Sequence, residues 1–184
     1  LGIPWEDFKF QDNALGFKDG SATPEGTPEE ILAAGKQMYE ELSSETKDFI
    51  NLMFVNQLFD VLAKEGKAPG GYCTGLPDYG YPFIFSNFNG TSGDVDVLTH
   101  EAGHAFADFM ANQTVEIRSL RCPTMEGAET HSMSMEFLTA PWHHLFFGKQ
   151  TDKYELSHAE DALLFIPYGC LVDHFQEEVY RHPE

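Results

Sequence analysis

The segment His100-Glu101-Ala102-Gly103-His104 constrains the fold more than any other, because its two histidines can act together only on a helix. In an α-helix, residues four apart lie about 40° from one another and one turn apart along the axis, so both imidazoles can reach one metal ion. The composition predicts about 0.06 chance matches to this pattern. The alternative is a surface helix on which the two histidines merely share a face. The segment therefore predicts a helix with two metal ligands and, in Glu101, a carboxylate beside them.

A second element must supply a further ligand, since two turns of one helix cannot enclose an ion. The helix that Pro123 opens offers three carboxylates, at Glu126, Glu129 and Glu136. Acidic residues on helices are usually solvated, but this helix is otherwise apolar, and a carboxylate in such surroundings needs a partner or a metal. Two neutral imidazoles and a carboxylate suit zinc and leave a fourth position for water or a carbonyl oxygen. The pattern predicts one zinc ion per chain.

Local signals divide the sequence into segments of one predicted domain over residues 1–184. A capping box begins a first helix at Thr27. Ser43 or Ser44 can cap a second helix, whose apolar residues continue at helical spacing as far as Leu62 before Gly66 ends it, so the two helices form a hairpin. We expect a mainly α fold of the α+β class with a small antiparallel sheet. The segments are, in order, an irregular lead-in, the helix hairpin, a strand region and the metal-site helices: 1–26, 27–66, 69–93 and 94–184.

Three signals give further detail toward the C-terminus. The run Phe83 to Phe88 lies between turn residues and predicts a strand. Pro141 should end or kink the helix that Pro123 opens. A capping box at Ser157 should begin the last helix, and Pro167 should bend or interrupt it.

Charge and cysteine content bear on partners and compartment. The chain has 11 Lys and Arg against 30 Asp and Glu, a formal net charge of −19, and such a field repels phosphate backbones and anionic membrane surfaces. No stretch is long and apolar enough to span a bilayer. The cysteines Cys73, Cys122 and Cys170 are far apart, which suggests reduced thiols. We expect a cytoplasmic protein without nucleic-acid or membrane partners.

Three stretches of sequence carry a family resemblance. They are PFIFSNFNGT (82–91), HEAGHA (100–105) and EGAETHSMSMEF (126–137). The sequence resembles the oligoendopeptidase F and thimet oligopeptidase family of zinc metallopeptidases, most closely its PZ-peptidase-like bacterial members, over nearly the whole chain. The resemblance implies a zincin-like helical catalytic core and a zinc-dependent endopeptidase that acts on oligopeptides.

The resemblance also implies roles for particular residues. In that family the third zinc ligand is the glutamate of an E-x-x-S pattern, which selects Glu129 to join His100 and His104. Glu101 would take the proton of a zinc-bound water. We expect His131 to be hydrogen-bonded behind the ligands rather than to bind the metal. Three carboxylates, each with an ordinary surface acid as the alternative, could accept the second N–H of a ligand histidine: Glu126, Glu136 and Asp108.

The strand from Phe83 to Phe88 has two interpretations. By family resemblance it is a sheet edge that pairs with an extended peptide, which makes Phe85, Ser86 and Asn87 substrate-binding candidates. The alternative is a core strand, because its apolar residues do not alternate cleanly with polar ones.

The family's oxyanion-stabilising His and Tyr donors come from a loop that no segment of this chain matches. The available tyrosines, Tyr154, Tyr168 and Tyr180, are better explained as parts of helix faces. We therefore expect a partial catalytic domain that binds zinc, is a poor peptidase alone and needs the remaining C-terminal part. Two alternatives are a zinc-binding structural or interaction module without catalysis, and an acidic helical interaction protein without metal.

Overall fold

The computed structural model describes residues 3–10, 12 and 16–184, except for the side chain of Glu126. The described residues form two compact units. One is Ala22–Gln150, and the other joins the described residues before Ala22 to Thr151–Glu184. The expected single domain stays a prediction. The mainly α fold with a small sheet is confirmed.

The helix hairpin of the first unit begins as the sequence predicts. Thr27 caps α1 (Pro28–Leu42) in a capping box with Glu30, and Ser43 caps α2 (Ser44–Val55) in the same way. Both caps use only local hydrogen bonds, which explains why the sequence reveals them. The buried apolar side chains of the hairpin form part of the core: Ile31, Met38, Tyr39, Phe49, Ile50 and Met53.

The second helix ends earlier than predicted. It stops at Val55 instead of reaching Gly66, because Gln57 has a left-handed backbone with φ of 53° and the chain then continues as strand β1 (Phe59–Leu62). The ammonium of Lys67 holds this strand in place. It donates to the carbonyl oxygens of Asp60, at 2.8 Å, and Leu62, at 2.9 Å.

The sheet is mixed, not antiparallel as predicted. Strands β2 (Tyr72–Leu76) and β3 (Tyr81–Phe88) pair antiparallel, with Cys73 opposite Ile84. Strand β1 pairs parallel to β3, so the order is β1-β3-β2 and β3 is central. Alternate residues of β3 are buried, which makes it a core strand.

Two helices that pack against each other carry the predicted metal ligands. They are α3 (Gly93–Thr114) and α4 (Met125–Leu138). Their backbones approach closely at Gly103, where an added Cβ would lie only 2.8 Å from Cα of Ser132. Asp94 anchors the start of α3, because its carboxylate accepts the backbone N–H groups of Asn89 and Gly90.

The remaining helices agree with the sequence only in part. Helix α4 ends before Pro141, as predicted, and α5 (His144–Phe147) is short. Helix α6 (Thr151–Arg181) begins before Ser157, which lies inside it, and continues through Pro167. Among the described residues, no helix combines the length and the apolar character needed to cross a membrane. Short 3-10 turns also occur: Trp5–Asp7, Arg118–Leu120, Ala140–Trp142 and Gly148–Gln150.

Candidate metal centre

The three predicted ligands meet in the first unit. Nε2 of His100 lies 3.2 Å and Nε2 of His104 lies 3.7 Å from Oε2 of Glu129. One ligand atom from each residue lies within 4.8 Å of the others. A tetrahedral ion with bonds of about 2.1 Å separates its ligands by about 3.4 Å, so this donor set fits a zinc ion. Two neighbouring turns of α3 and one turn of α4 therefore form a candidate metal site.

The outer nitrogens of the two histidines have different partners. Nδ1 of His100 lies 2.6 Å from Oε1 of Glu136, whereas Nδ1 of His104 lies 3.3 Å from Nε2 of His131. The two ligand rings are nearly perpendicular, with centroids 4.9 Å apart. Each ring thus directs Nε2 toward Glu129 and Nδ1 toward a hydrogen-bonding partner, an arrangement typical of metal-binding histidines.

The other predicted partners of the ligand histidines fall elsewhere. Asp108 accepts a hydrogen bond of 3.1 Å from the side-chain amide of Asn112 and, in the described structure, forms no hydrogen bond or ion pair with either ligand histidine. The side chain of Glu126 lies outside the described residues. Ser132, which the sequence offered only as part of the E-x-x-S pattern, donates from Oγ to Oε2 of Glu129 at 2.9 Å and orients this carboxylate.

Burial and hydrogen bonds shift the pKa values of the ionisable groups at the centre. The hydrogen bond to Glu136 raises the pKa of His100 above its ordinary value. Burial lowers the pKa of His104 and favours its neutral form, which is the one that binds metals. Burial also raises the pKa of Glu101, against the opposing effects of His100 and a hydrogen bond from the Cys73 backbone. A carboxylate with a raised pKa is suited to accept a proton.

A cavity of about 610 Å³ adjoins these residues. Strand β2 forms one wall from Tyr72 to Gly75, and α3 forms another with His100, Glu101 and His104. Within the described chain, β2 pairs only with β3, so no strand occupies its other edge. The thiol of Cys73 also lines the cavity, and burial raises its pKa to about 12.

The structure corrects the prediction of a substrate-binding edge at β3. Both edges of β3 are already paired, so it cannot accept a further strand. None of the candidates Phe85, Ser86 and Asn87, all of which the structure describes, lines the cavity beside Glu101. Asn87 instead donates to the carbonyl oxygens of Ala68, at 2.8 Å, and Gly70, at 3.0 Å. The sequence signal for β2 was weak, because Gly71 and Gly75 flank a short run without clear alternation.

The sequence was compared with models of protein families and with curated proteins. The sequence model of peptidase family M3 matches residues 36–182. A search among curated proteins finds no match.

Solved structures also match. One from Bacillus anthracis str. Ames, described as an oligoendopeptidase F, is 53% identical in sequence with a TM-score of 0.91. The match covers 97% of this chain and 32% of the Bacillus anthracis chain. PZ peptidase A, solved with an inhibitor, is 53% identical in sequence with a TM-score of 0.88. The match covers 93% of this chain and 30% of the PZ peptidase A chain. A peptidase structure from Chlamydophila abortus is 21% identical in sequence with a TM-score of 0.57, and it shares the fold. The match covers 66% of this chain and 20% of the Chlamydophila abortus chain. The chain thus spans at most about a third of these structures.

Proposed function

This chain belongs to peptidase family M3, and from that premise we propose that it carries the metal centre of a zinc-dependent endopeptidase that hydrolyses oligopeptides. The observation that supports the proposal is the convergence of Nε2 of His100 and Nε2 of His104 on the carboxylate of Glu129. Neutral imidazoles and one carboxylate are the ligands of many catalytic zinc sites, which keep one position open.

His100, His104 and Glu129 would hold the zinc ion. Bound zinc polarises a water molecule and the carbonyl of the peptide bond. Glu101 follows His100 on α3 and lines the same cavity, so its carboxylate can accept the proton of that water. Glu101 would later return the proton to the leaving amine.

We propose that the substrate binds as an extended peptide along the free edge of β2. This strand lies beside Glu101, because residues Tyr72 to Gly75 and Glu101 line the same cavity. Backbone pairing would bind peptides of varied sequence, since it does not depend on side chains. This edge replaces β3 as the candidate binding strand.

Further parts of a catalytic domain are proposed to complete the cleft. The chain spans about 32% of the Bacillus anthracis structure, so most of the cleft wall would come from outside these residues. The oxyanion-stabilising donors would come from there too. We also propose a cytoplasmic location, because Cys73, Cys122 and Cys170 are all free thiols. The net charge of −19 supports partners other than nucleic acids or anionic membranes.

Metal content after mild purification tests the proposed centre. We expect about one zinc per chain by elemental analysis, and a large loss in Glu129→Ala, because two imidazoles alone bind zinc weakly. The matched control is Asp108→Asn, which changes a carboxylate of the same cavity that forms no hydrogen bond or ion pair with either ligand histidine. The control should keep its zinc. A wild-type chain without zinc, or equal zinc in Glu129→Ala and wild type, would contradict the proposal.

A further inference from the structure

The two ligand histidines differ in what accepts their outer N–H. For His100 the acceptor is the carboxylate of Glu136. For His104 it is a second imidazole, because Nδ1 lies 3.3 Å from Nε2 of His131 and the two rings are nearly perpendicular, with centroids 5.3 Å apart. The distance between the two nitrogens is within hydrogen-bonding range, so one ring nitrogen donates and the other accepts.

Metal binding fixes the direction of this hydrogen bond. A neutral imidazole that binds a metal through Nε2 carries its only proton on Nδ1. His104 must therefore donate, and His131 must accept through an unprotonated Nε2 with its own proton on Nδ1. We infer that His131 is a positioning residue, which fixes the tautomer and ring orientation of His104 for zinc. The inference rests on the proposed zinc site.

Helix packing holds His131 in place. An added Cβ at Gly103 would lie 3.3 Å from the carbonyl oxygen of His131, so the α4 backbone touches α3 one residue before His104. The same stretch of α4 carries Glu129 and Glu136. One helix thus supplies a metal ligand together with the acceptors for both ligand histidines, and the close packing of α3 on α4 holds all three.

Two substitutions separate hydrogen bonding from packing. His131→Leu keeps a side chain of comparable bulk but has no acceptor, whereas His131→Gln can place its amide oxygen near the position of Nε2. We expect the zinc Kd, measured by competition with a chromophoric chelator, to rise about 10- to 100-fold in His131→Leu. His131→Gln should bind close to wild type. His174→Leu, an exposed histidine of α6, is the control and should leave the Kd unchanged.

Nuclear magnetic resonance adds a readout that a purely structural role would not change. In the zinc-loaded wild-type chain, the Nδ1–H proton of His104 should be shifted downfield and protected from exchange. That signal should be lost in His131→Leu and retained in His131→Gln. Equal zinc affinity in wild type and His131→Leu, or equal losses in both His131 variants, would overturn the inference. A wild-type chain that binds no zinc would instead contradict the proposed function.

Discussion

The carboxylate of Glu136 changes how His100 responds to pH. Its hydrogen bond of 2.6 Å raises the pKa of His100 above the ordinary value of about 6.5, and burial acts in the opposite direction. In the metal-free chain, protonated His100 is therefore more favourable in the folded than in the unfolded state. This contribution to stability is fully present below the unfolded pKa and is lost as the pH rises through the folded pKa.

Glu136→Gln should consequently destabilise the metal-free chain in a pH-dependent way. We expect the free energy of unfolding to fall by about 1 kcal/mol near pH 6, where the substitution removes a charged pair. The loss should be smaller near pH 9, where less of His100 is protonated and the pair contributes less. Urea unfolding with a chelator present measures both values. Glu40→Gln removes a half-buried carboxylate paired with Lys36 and should show no change in effect between these pH values. A Glu136→Gln effect of the same size at both pH values would contradict the assignment.

Single residues show what spacing can and cannot predict. The spacing of His100 and His104 fixes their geometry, since both lie on one helix. It could not choose among Glu126, Glu136 and Asp108 as the acceptor for His100, because that depends on how α4 crosses α3. It also left the partner of His104 open, which lies on α4 as well. These contacts belong to tertiary packing, and no local pattern encodes them.

At the scale of elements, the closeness of α3 and α4 depends on Gly103. An added Cβ there would lie 2.8 Å from Cα of Ser132 and 3.1 Å from Cβ of Met135. The first contact is with backbone, so α4 as a whole would have to move. Because α4 carries Glu129, such a displacement changes the metal site as well as the packing.

Gly103→Ala should therefore lower both stability and zinc affinity. Overpacking costs about 1–3 kcal/mol of the free energy of unfolding, measured by urea unfolding of the metal-free chain. The matched control is Gly127→Ala in α4, where the added Cβ would meet only ordinary contacts at 3.4 and 3.5 Å. It should be neutral or gain up to about 1 kcal/mol from helix propensity. A Gly103→Ala variant as stable as the control would show that α4 does not pack as described.

Elements held by local bonds were predictable, and those held by distant ones were not. The capping boxes at Thr27 and Ser43 involve neighbours in sequence, and both helices begin where predicted. Strand β1 depends on pairing with β3 and on the ammonium of Lys67, whose side chain is only 4% exposed. The helical spacing of the apolar residues in this segment therefore predicted a helix where the structure has a strand. Helix α6 continues through Pro167 because the proline removes only one donor from a helix with several turns on either side.

For the whole molecule, the metal centre and the rest of the catalytic machinery have different requirements. The proposed ligands, the proposed base Glu101 and the edge of β2 all lie within Ala22–Gln150. The cavity beside them is lined by residues of this unit, and the chain spans about 32% of the length of the Bacillus anthracis structure. Zinc binding should therefore need only this chain, whereas efficient catalysis should need donors and walls from elsewhere. A positioned oxyanion donor alone contributes a factor of about 10² to 10³ in rate.

We accordingly expect this chain to bind zinc but to cleave a quenched fluorescent oligopeptide at least about 10²-fold more slowly than a polypeptide with the complete catalytic domain. In the complete polypeptide, Glu101→Gln should keep its zinc and lose a further factor of about 10² to 10⁴ in kcat, because the amide cannot accept the proton of water. Elemental analysis and initial rates measure the two properties separately. Asp108→Asn, in the same cavity, is the control and should retain most of the activity. Full activity in Glu101→Gln would contradict its role as the base, and full activity of this chain alone would mean that its own residues stabilise the oxyanion.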